Sequence, residues 1–371
     1  MNILILNPIL FTPEHNIIPK VKSIKDTMIY NMCLGFIKLG HNITLAAAKE
    51  YHPTESETYE FNVIFFPSRY TKFCPPSVLP YSPSLKKYLR QNHKKFDLII
   101  SSEVFSFNSL FAAEICPKKT IIWHELALHP SKFHKVPSKL WYNCICPLFM
   151  KNVKCIIPRS EASRNFIKKY FCQVSNQCVE HGINIEKFKY SNEKKNEFIF
   201  VGQLIPRKNI NNIILKFSRF LKLSKESFTL LIVGRGFLAE ELKKYAEQLG
   251  ISDNVKFIGF VNHSELNNLL KKSLALLIDT LQDNNMVSIP ESIVSGTPIL
   301  TNNIPTNSPM ILKNQLGIAK QNWDENDMLE IFNNNSFYVN NCIQYREKLT
   351  NQHSAQLLIE IFNSYQNNKI K

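Results

Sequence analysis

The chain is built from short apolar runs separated by amphipathic stretches, and the order of those runs predicts the fold. Met1-Asn-Ile-Leu-Ile-Leu-Asn7 is a compact apolar run ended by Pro8, the pattern of a buried parallel strand. A helical stretch follows from Ser23 to Leu39, closed by Gly40-His41, and Asn42–Ala47 reads as a second strand. Strand, helix and strand together form the unit from which doubly wound sheets are made. Further strands are expected at Asn62–Phe66, Asp97–Ser101, Thr120–Trp123, Lys154–Pro158 and Gln177–Glu180, with a helix at Glu161–Tyr170.

After the polar stretch Glu186–Asn196 the rhythm restarts. Strands at Phe198–Val201, Thr229–Val233, Val255–Ile258, Ala275–Ile278 and Pro298–Thr301 alternate with helices at Ile210–Leu221, Leu238–Leu249, Ser264–Lys272 and Ile289–Ser295. Val339–Phe362 reads as a closing helix. The 371 residues exceed what one hydrophobic core organises. The expectation is an α/β protein of two Rossmann-like, doubly wound parallel-sheet domains facing a cleft. These are residues 1–186 and 187–345, with 346–371 as a helical tail packing back on the first domain.

Composition narrows the class only a little. Apolar residues make up 44 % and charged residues 20 %, the balance of an ordinary globular protein, and no run is long enough to cross a bilayer as a helix. The nine cysteines are scattered, show no C-x-x-C spacing and follow no secretory signal, so reduced thiols and a cytoplasmic location are expected. The net charge of +15 favours anionic partners: phosphorylated substrates, an acidic membrane surface or nucleic acid.

Four features sit where strands of the second half end, which is where open α/β sheets place ligands. Phe200-Val-Gly202-Gln203 leads to Arg207-Lys208-Asn209, a glycine corner followed by two cations at the start of a helix. Val233-Gly234-Arg-Gly236 is a strand followed by G-x-G, without the third glycine of a dinucleotide fingerprint, which speaks against a nicotinamide dehydrogenase. Val255–Gly259 continues into Phe260-Val261, placing an aromatic beside a backbone corner. The fourth feature runs from Asp279 to Pro298 and carries Asp283 and Glu291 eight residues apart across a polar loop. One acid there can reach sugar hydroxyls and the other a ribose diol, with the amides between them facing a diphosphate. Taken alone, each corner also reads as an ordinary turn, and Ser288-Ile-Pro-Glu291 also reads as a capping box with Ser288 at the N-cap.

In this order, the four features resemble the retaining glycosyltransferases of family 4. That family shows V-G-R-L with K-G, then V-G-x-G, V-x-F-x-G, and E-x7-E followed by G-x-P-V. The matching stretches here are Val201-Gly-Gln-Leu with Lys208-Asn209, Val233–Gly236, Val255–Gly259, and Asp283-x7-Glu291 with Gly296-Thr-Pro-Ile299. Gly40-His-Asn-Ile-Thr-Leu45 and His181–Phe188 also fit family habits. The resemblance implies a GT-B fold and sugar transfer with retention from a UDP- or GDP-linked donor. It assigns Lys208 to the donor phosphates, Glu291 to the ribose and Asp283 to the donor sugar. Backbone at Asn285, Met286, Val287 and Ser288 would meet the diphosphate. Two departures stand out: Gln203 replaces a usual arginine, with Arg207 as the candidate substitute, and Asp283 is one methylene shorter than glutamate. No D-x-D motif is present, so no metal is expected.

The first half specifies the acceptor less well. Trp123-His124-Glu125 ends a strand, and His124 and then Glu125 are the candidates to stand near the reacting centre. Two stretches mix basic and aromatic residues without an acid. Arg69, Lys72, Lys86, Lys87, Arg90, Lys94 and Lys95 lie among Tyr70, Phe73, Tyr81 and Tyr88. Lys132, Lys135, Lys139, Lys151 and Lys154 lie among Phe133, Trp141, Tyr142 and Phe149. Such a surface suits an anionic membrane, and with it a glycan or polyprenyl-diphosphate-linked acceptor for capsule, O-antigen or other surface polysaccharide. An inverting enzyme with His124 or Glu125 as base is the rival chemistry, and a basic nucleic-acid-binding protein the rival class.

Overall fold

The computed structural model describes residues 1–10, 23–25, 27–129, 136–283 and 286–367. The chain forms two compact units, Met1–Gly182 with Asn351–Lys371, and Ile183–Thr350. In the first unit the strands are β1 (Asn2–Leu6), β2 (Asn42–Ala48), β3 (Asn62–Phe66), β4 (Leu98–Ser102), β5 (Thr120–His124) and β6 (Cys155–Pro158). In the second they are β7 (Glu197–Val201), β8 (Thr229–Val233), β9 (Val255–Gly259), β10 (Ala275–Ile278), β11 (Ile299–Thr301) and β12 (Gly317–Ala319). Both sheets are six-stranded, with orders β3-β2-β1-β4-β5-β6 and β12-β11-β10-β7-β8-β9. Every pairing between these strands is parallel. Each sheet is therefore a doubly wound Rossmann-like sheet, whose strand order reverses between β1 and β4 in one and between β7 and β10 in the other.

Burial follows from sequence. β4 and β10 are covered on both faces, so Leu98-Ile-Ile-Ser-Ser102 and Ala275-Leu-Leu-Ile278 are buried throughout. The helix Ile210–Leu223 buries Ile210, Ile213, Ile214, Phe217 and Phe220, an apolar face at helical spacing. Each such side chain contributes about 1.5–3 kcal/mol on leaving water. In the first unit the helix Met28–Lys38 packs on the C-terminal helix Asn351–Asn367, with Ile29, Met32 and Phe36 in one core with Ala355, Leu358 and Phe362. A Cβ on Gly35 would meet the Asn351 carbonyl oxygen at 2.4 Å, so glycine permits this close approach.

Three expectations are corrected. Gln177–Glu180 forms no strand; Val179 instead donates its amide to the Pro158 carbonyl at the end of β6. The stretch Val339–Phe362 is not one helix. It divides into Asn335–Tyr345 and Asn351–Asn367 around the turn Arg346–Leu349, and only the latter belongs to the first unit. β12 escaped the pattern because three residues, Gly317-Ile-Ala319, carry too short an apolar run.

Candidate functional site

In the second unit the turn after β7 and the loop after β10 lie at the point where the strand order reverses, the position at which such sheets bind ligands. Backbone bonds join the two segments. The Arg207 carbonyl accepts from the Leu281 amide at 2.7 Å and from the Thr280 hydroxyl at 2.9 Å. Arg207 and Lys208, neighbours in sequence, reach the same atom. Arg207 Nη1 lies 3.0 Å from Asp283 Oδ2, and Lys208 Nζ pairs with that oxygen too. Arg207 also donates to the Gln282 carbonyl at 3.1 Å. Lys208 is buried and Arg207 exposed, so one cation is fixed in the floor and the other stands at the rim. Two cations converging on one anionic oxygen make a geometry that phosphate oxygens also satisfy. Gln203, where the resemblance expects arginine, is exposed beside them.

A polar brace lies beneath. Asp279, buried just past β10, takes Lys216 Nζ at 3.0 Å, Asn212 Nδ2 at 2.5 Å and Asn209 Nδ2 at 3.3 Å on Oδ2, and Asn302 Nδ2 at 3.3 Å on Oδ1. Asn209, Asn212 and Lys216 form one stripe at the start of the helix, while the Lys216 ammonium sits 4.0 Å over the Trp323 ring. Asn209 has φ 52°, the left-handed region where the resemblance puts glycine, and asparagine tolerates it. Sequence reasoning named Asp279 only as the start of a loop. The signal it passed over was a lysine buried on an otherwise apolar helix face.

The remaining residues expected on the donor side follow β8 and β9 or lie in the helix Ser288–Val294. Gly234 has φ 139°, and a Cβ there would stand 1.8 Å from the Gly202 carbonyl oxygen, so the corners after β7 and β8 interlock only through glycine. Phe260, after β9, is 69 % exposed, with the Arg235 guanidinium 5.6 Å from its ring centroid and Val261 half-buried beside it. Glu291 is buried in the helix Ser288–Val294, its Oε1 3.5 Å from His263 Nδ1. Val287 occupies the N-cap and no side-chain cap forms, so the alternative reading of Ser288 and Glu291 as a capping box does not hold. Ser288 is inside the helix, where its hydroxyl no longer precedes the first turn. The Met286 amide already donates to Asn307 Oδ1 at 3.0 Å. Val287 and Ser288 open the helix, where amides lack intrahelical acceptors. Asn285 lies outside the described residues. Among the described residues no three His, Cys, Asp or Glu side chains gather as metal ligands.

In the first unit β5 ends in His124, whose ring is 0 % exposed and packs parallel to Phe166 at 6.1 Å. The residue expected near the reacting centre thus has no exposed surface of its own. Its Nδ1 is 2.9 Å from Glu103 Oε2, an ion-pair distance. Glu125 is 47 % exposed on its side chain and pairs with Arg159 Nη1 at 2.6 Å. Arg159 stacks 4.1 Å over the Trp123 ring and donates to His181 Nε2 at 2.7 Å. Burial, reinforced by Arg159, holds His181 well below the ordinary histidine range, which matches a neutral ring accepting from a guanidinium. Glu103 and Arg159 were missed by sequence reasoning, although Glu103 is the first residue after β4 at the strand-order reversal of this sheet.

The basic and aromatic surface is smaller than the sequence suggests. Trp141 and Tyr142 are core residues, and Lys86 and Arg90 pair with Glu114 at 2.6 and 3.3 Å. Of the named aromatic and apolar side chains, Tyr70 and Phe73 stay exposed near Lys72, and Val136, Leu140, Leu148 and Phe149 near Lys139 and Lys151; Arg69, Lys87, Lys94 and Lys95 are exposed as well. Lys132, Phe133 and Lys135 lie outside the described residues, and no described helix is long and apolar enough to cross a membrane.

Known proteins resemble both halves. The model for "Glycosyl transferases group 1" matches residues 183–334, and that for "Glycosyltransferase Family 4" matches residues 26–187. The O-antigen chain mannosyltransferase of Salmonella typhimurium is 27 % identical over 192 residues, 50 % of this chain and 52 % of that protein. The alpha-monoglucosyldiacylglycerol synthase of Streptococcus pneumoniae is 23 % identical over 185 residues, 46 % of this chain and 42 % of that protein. The match thus spans about half the length of these relatives. Among solved structures, Anabaena HepE in complex with UDP has a TM-score of 0.68 at 14 % identity, covering 98 % of this chain and 100 % of that one. The lipopolysaccharide outer core galactosyltransferase WaaB has 0.65 at 14 % identity, covering 100 % of both. These likenesses show the fold.

Proposed function

The chain belongs to the family 4 glycosyltransferases, of GT-B fold, and we propose that it moves a hexose-type sugar from a UDP- or GDP-linked donor to a glycan acceptor, with retention at the anomeric carbon. The observation that carries this reading is the convergence of Arg207 and Lys208 on Asp283 at the β7–β10 reversal. As the bond to the donor sugar breaks, negative charge grows on the leaving diphosphate. Lys208 and Arg207, with the amides of Val287 and Ser288, stabilise that charge without reorganising. Arg207 supplies the cation that Gln203 does not. Asp283, freed from the two cations by the incoming phosphates, faces the developing charge on the sugar, and Glu291 takes the ribose hydroxyls. Phe260 and Arg235 offer a face for the base.

The two cations answer the charge of the diphosphate, so the reaction proposed here uses no metal; its persistence in EDTA is the check. Full burial of His124 and the ion pair at Glu125 weigh against an inverting route that uses either as base. The setting we propose is surface-polysaccharide synthesis, on capsule, O-antigen or a polyprenyl-diphosphate-linked oligosaccharide, at the cytoplasmic face of the membrane. It is supported by the exposed apolar residues Val136, Leu140, Leu148 and Phe149, close in sequence to the exposed Lys139 and Lys151, a mixture that suits anionic headgroups. Sedimentation with phosphatidylglycerol vesicles, and not with phosphatidylcholine vesicles, is the expected result; equal and poor sedimentation with both removes the membrane from the proposal.

The direct test is thermal-shift screening against UDP, GDP, CDP, ADP and their hexose conjugates. A ligand at a hundred times its Kd stabilises by about 2.7 kcal/mol, enough to read. One nucleotide should raise the melting temperature, and Glu291→Ala should abolish the rise. No response to any nucleotide overturns the donor assignment. Proton NMR of the product distinguishes retention from inversion.

A further inference from the structure

The first unit contains a charged site that the donor chemistry does not use, and its arrangement inverts the roles expected from sequence. Glu103 is the first residue beyond β4, beside the end of β1, where the strand order of this sheet reverses. The Ser102 hydroxyl donates to Asn7 Oδ1, joining the two strand ends. Glu103 has φ 67°, a left-handed conformation uncommon for a residue bearing a Cβ and one that concentrates at functional sites. Its carboxylate is held from several sides: Oε1 accepts the Glu125 amide at 2.8 Å, and Oε2 lies 3.4 Å from the Leu126 amide and 2.9 Å from His124 Nδ1.

Exposure decides which member of this group can meet a substrate. The His124 ring is 0 % exposed and the Glu103 side chain 24 %. A carboxylate oxygen has about two acceptor positions, and the Glu125 amide on Oε1 leaves one there. Burial alone would raise the Glu103 pKa. The charges of His124 and Arg159 and the Glu125 amide outweigh it and bring the group below the usual glutamate range, so it stays ionised and acts as an acceptor.

We propose that Glu103 is the residue of the first unit that accepts a hydrogen bond from a hydroxyl of the sugar acceptor, and that His124 is its positioning residue from below. This rests on the transferase reading and adds to it the residue that meets the acceptor's hydroxyl. The ring nitrogen Nδ1 stands behind Oε2, so the imidazole fixes where the carboxylate points without touching substrate. Glu125, tied to Arg159, borders the same strand end and contributes its backbone amide to the hold on Glu103.

The test uses the full chain and a panel of octyl hexopyranosides below their micellar concentration, with binding read by saturation-transfer NMR. Glu103→Gln should weaken glycoside binding by about 10- to 100-fold, the range for losing a hydrogen bond to a charged group. The melting shift with the nucleotide that stabilises the wild type should not change. His124→Asn retains an N–H able to reach Oε2 and should keep most of the binding, whereas His124→Phe should lose it as Glu103→Gln does. A ring acting directly as a base would not be rescued by asparagine. Glu103→Gly adopts the left-handed backbone readily and should still lose glycoside binding, separating the carboxylate from any effect on folding. Binding equal in wild type and Glu103→Gln, or present in neither, overturns the proposal, and wild-type binding by His124→Phe overturns the positioning role. Failure of the wild type to respond to any nucleotide would instead overturn the transferase reading, whatever the glycosides do.

Discussion

Replacing Gly234 by alanine should damage the second unit far more than the same change at Gly250, although both glycines have positive φ. At Gly250 φ is 67° and nothing lies within 4 Å of an added Cβ, so the cost is the left-handed backbone alone, about 1–2 kcal/mol. At Gly234 φ is 139°, a region still less open to a residue with a Cβ, and the added atom stands 1.8 Å from the Gly202 carbonyl oxygen. Real Cβ contacts essentially never fall under 3.0 Å, so that carbonyl must retreat by more than an ångström. The movement strains the bonds from the Gly202 amide to the Val233 carbonyl at 3.0 Å and from the Gly234 amide to the Gly259 carbonyl at 2.8 Å. Overpacking of this kind costs about 1–3 kcal/mol and a lost hydrogen bond about 1 kcal/mol, so with the backbone term the total is about 3–6 kcal/mol. Native-state hydrogen exchange of the β7 and β8 amides measures the loss in this unit without assuming that the two units unfold together. The nucleotide-induced melting shift should fall with it, because Gly202 leads into the Arg207–Lys208 turn. If Gly234→Ala protects those amides as well as Gly250→Ala does, the interlock of the two corners is not what holds this strand edge.

Lys208→Ala should reduce affinity for the stabilising nucleotide diphosphate by about 10- to 100-fold, as expected for a hydrogen bond to a charged group, and Arg207→Ala by less because that side chain stands at the rim. Calorimetric titration reads both. Lys216→Met leaves Asp279 buried without its cation and should destabilise the second unit by about 3–5 kcal/mol in the same exchange experiment. Adding Asn at Asp279 should recover part of that loss. Burial raises the Glu180 pKa to about 7, so the folded state binds more protons between about 4.5 and 7; stability from this group falls as pH rises through that window, and Glu180→Gln should flatten the fall. Lys194 runs the other way. Burial, opposed by the nearby Cys342 thiol, lowers it to about 7, so the unfolded state binds more protons between about 7 and 10.5 and stability rises with pH there. Lys194→Met should remove that rise in melting curves taken across the interval.

Local pattern was enough to determine the class of fold and to name the candidate residues of the donor half of the site. Buried parallel strands are apolar on both faces, so runs such as Ile199-Phe-Val201 and Leu230-Leu-Ile-Val233 announce themselves without any partner. Glycines that end such strands, and acids at fixed spacing in the loop that follows, are equally local, which is why Gly202, Lys208, Asp283 and Glu291 could be named from sequence. What the chain order could not carry was direction and depth. Whether Arg207 faces the same way as Lys208 depends on the turn Pro206–Lys208, and whether Ser288 caps a helix depends on where its first turn begins. The Asp279 brace joins residues from 209 to 302, and the Glu103 cluster joins residues from 103 to 181. No spacing rule connects positions so far apart. Only the parallel register, which brings the ends of β4, β5 and β6 side by side, sets the buried His124 ring beside the Glu103 carboxylate and leaves the glutamate partly exposed. Sequence named only His124 of this pair; that Glu103 is the more exposed of the two is a property of the packed molecule rather than of either residue.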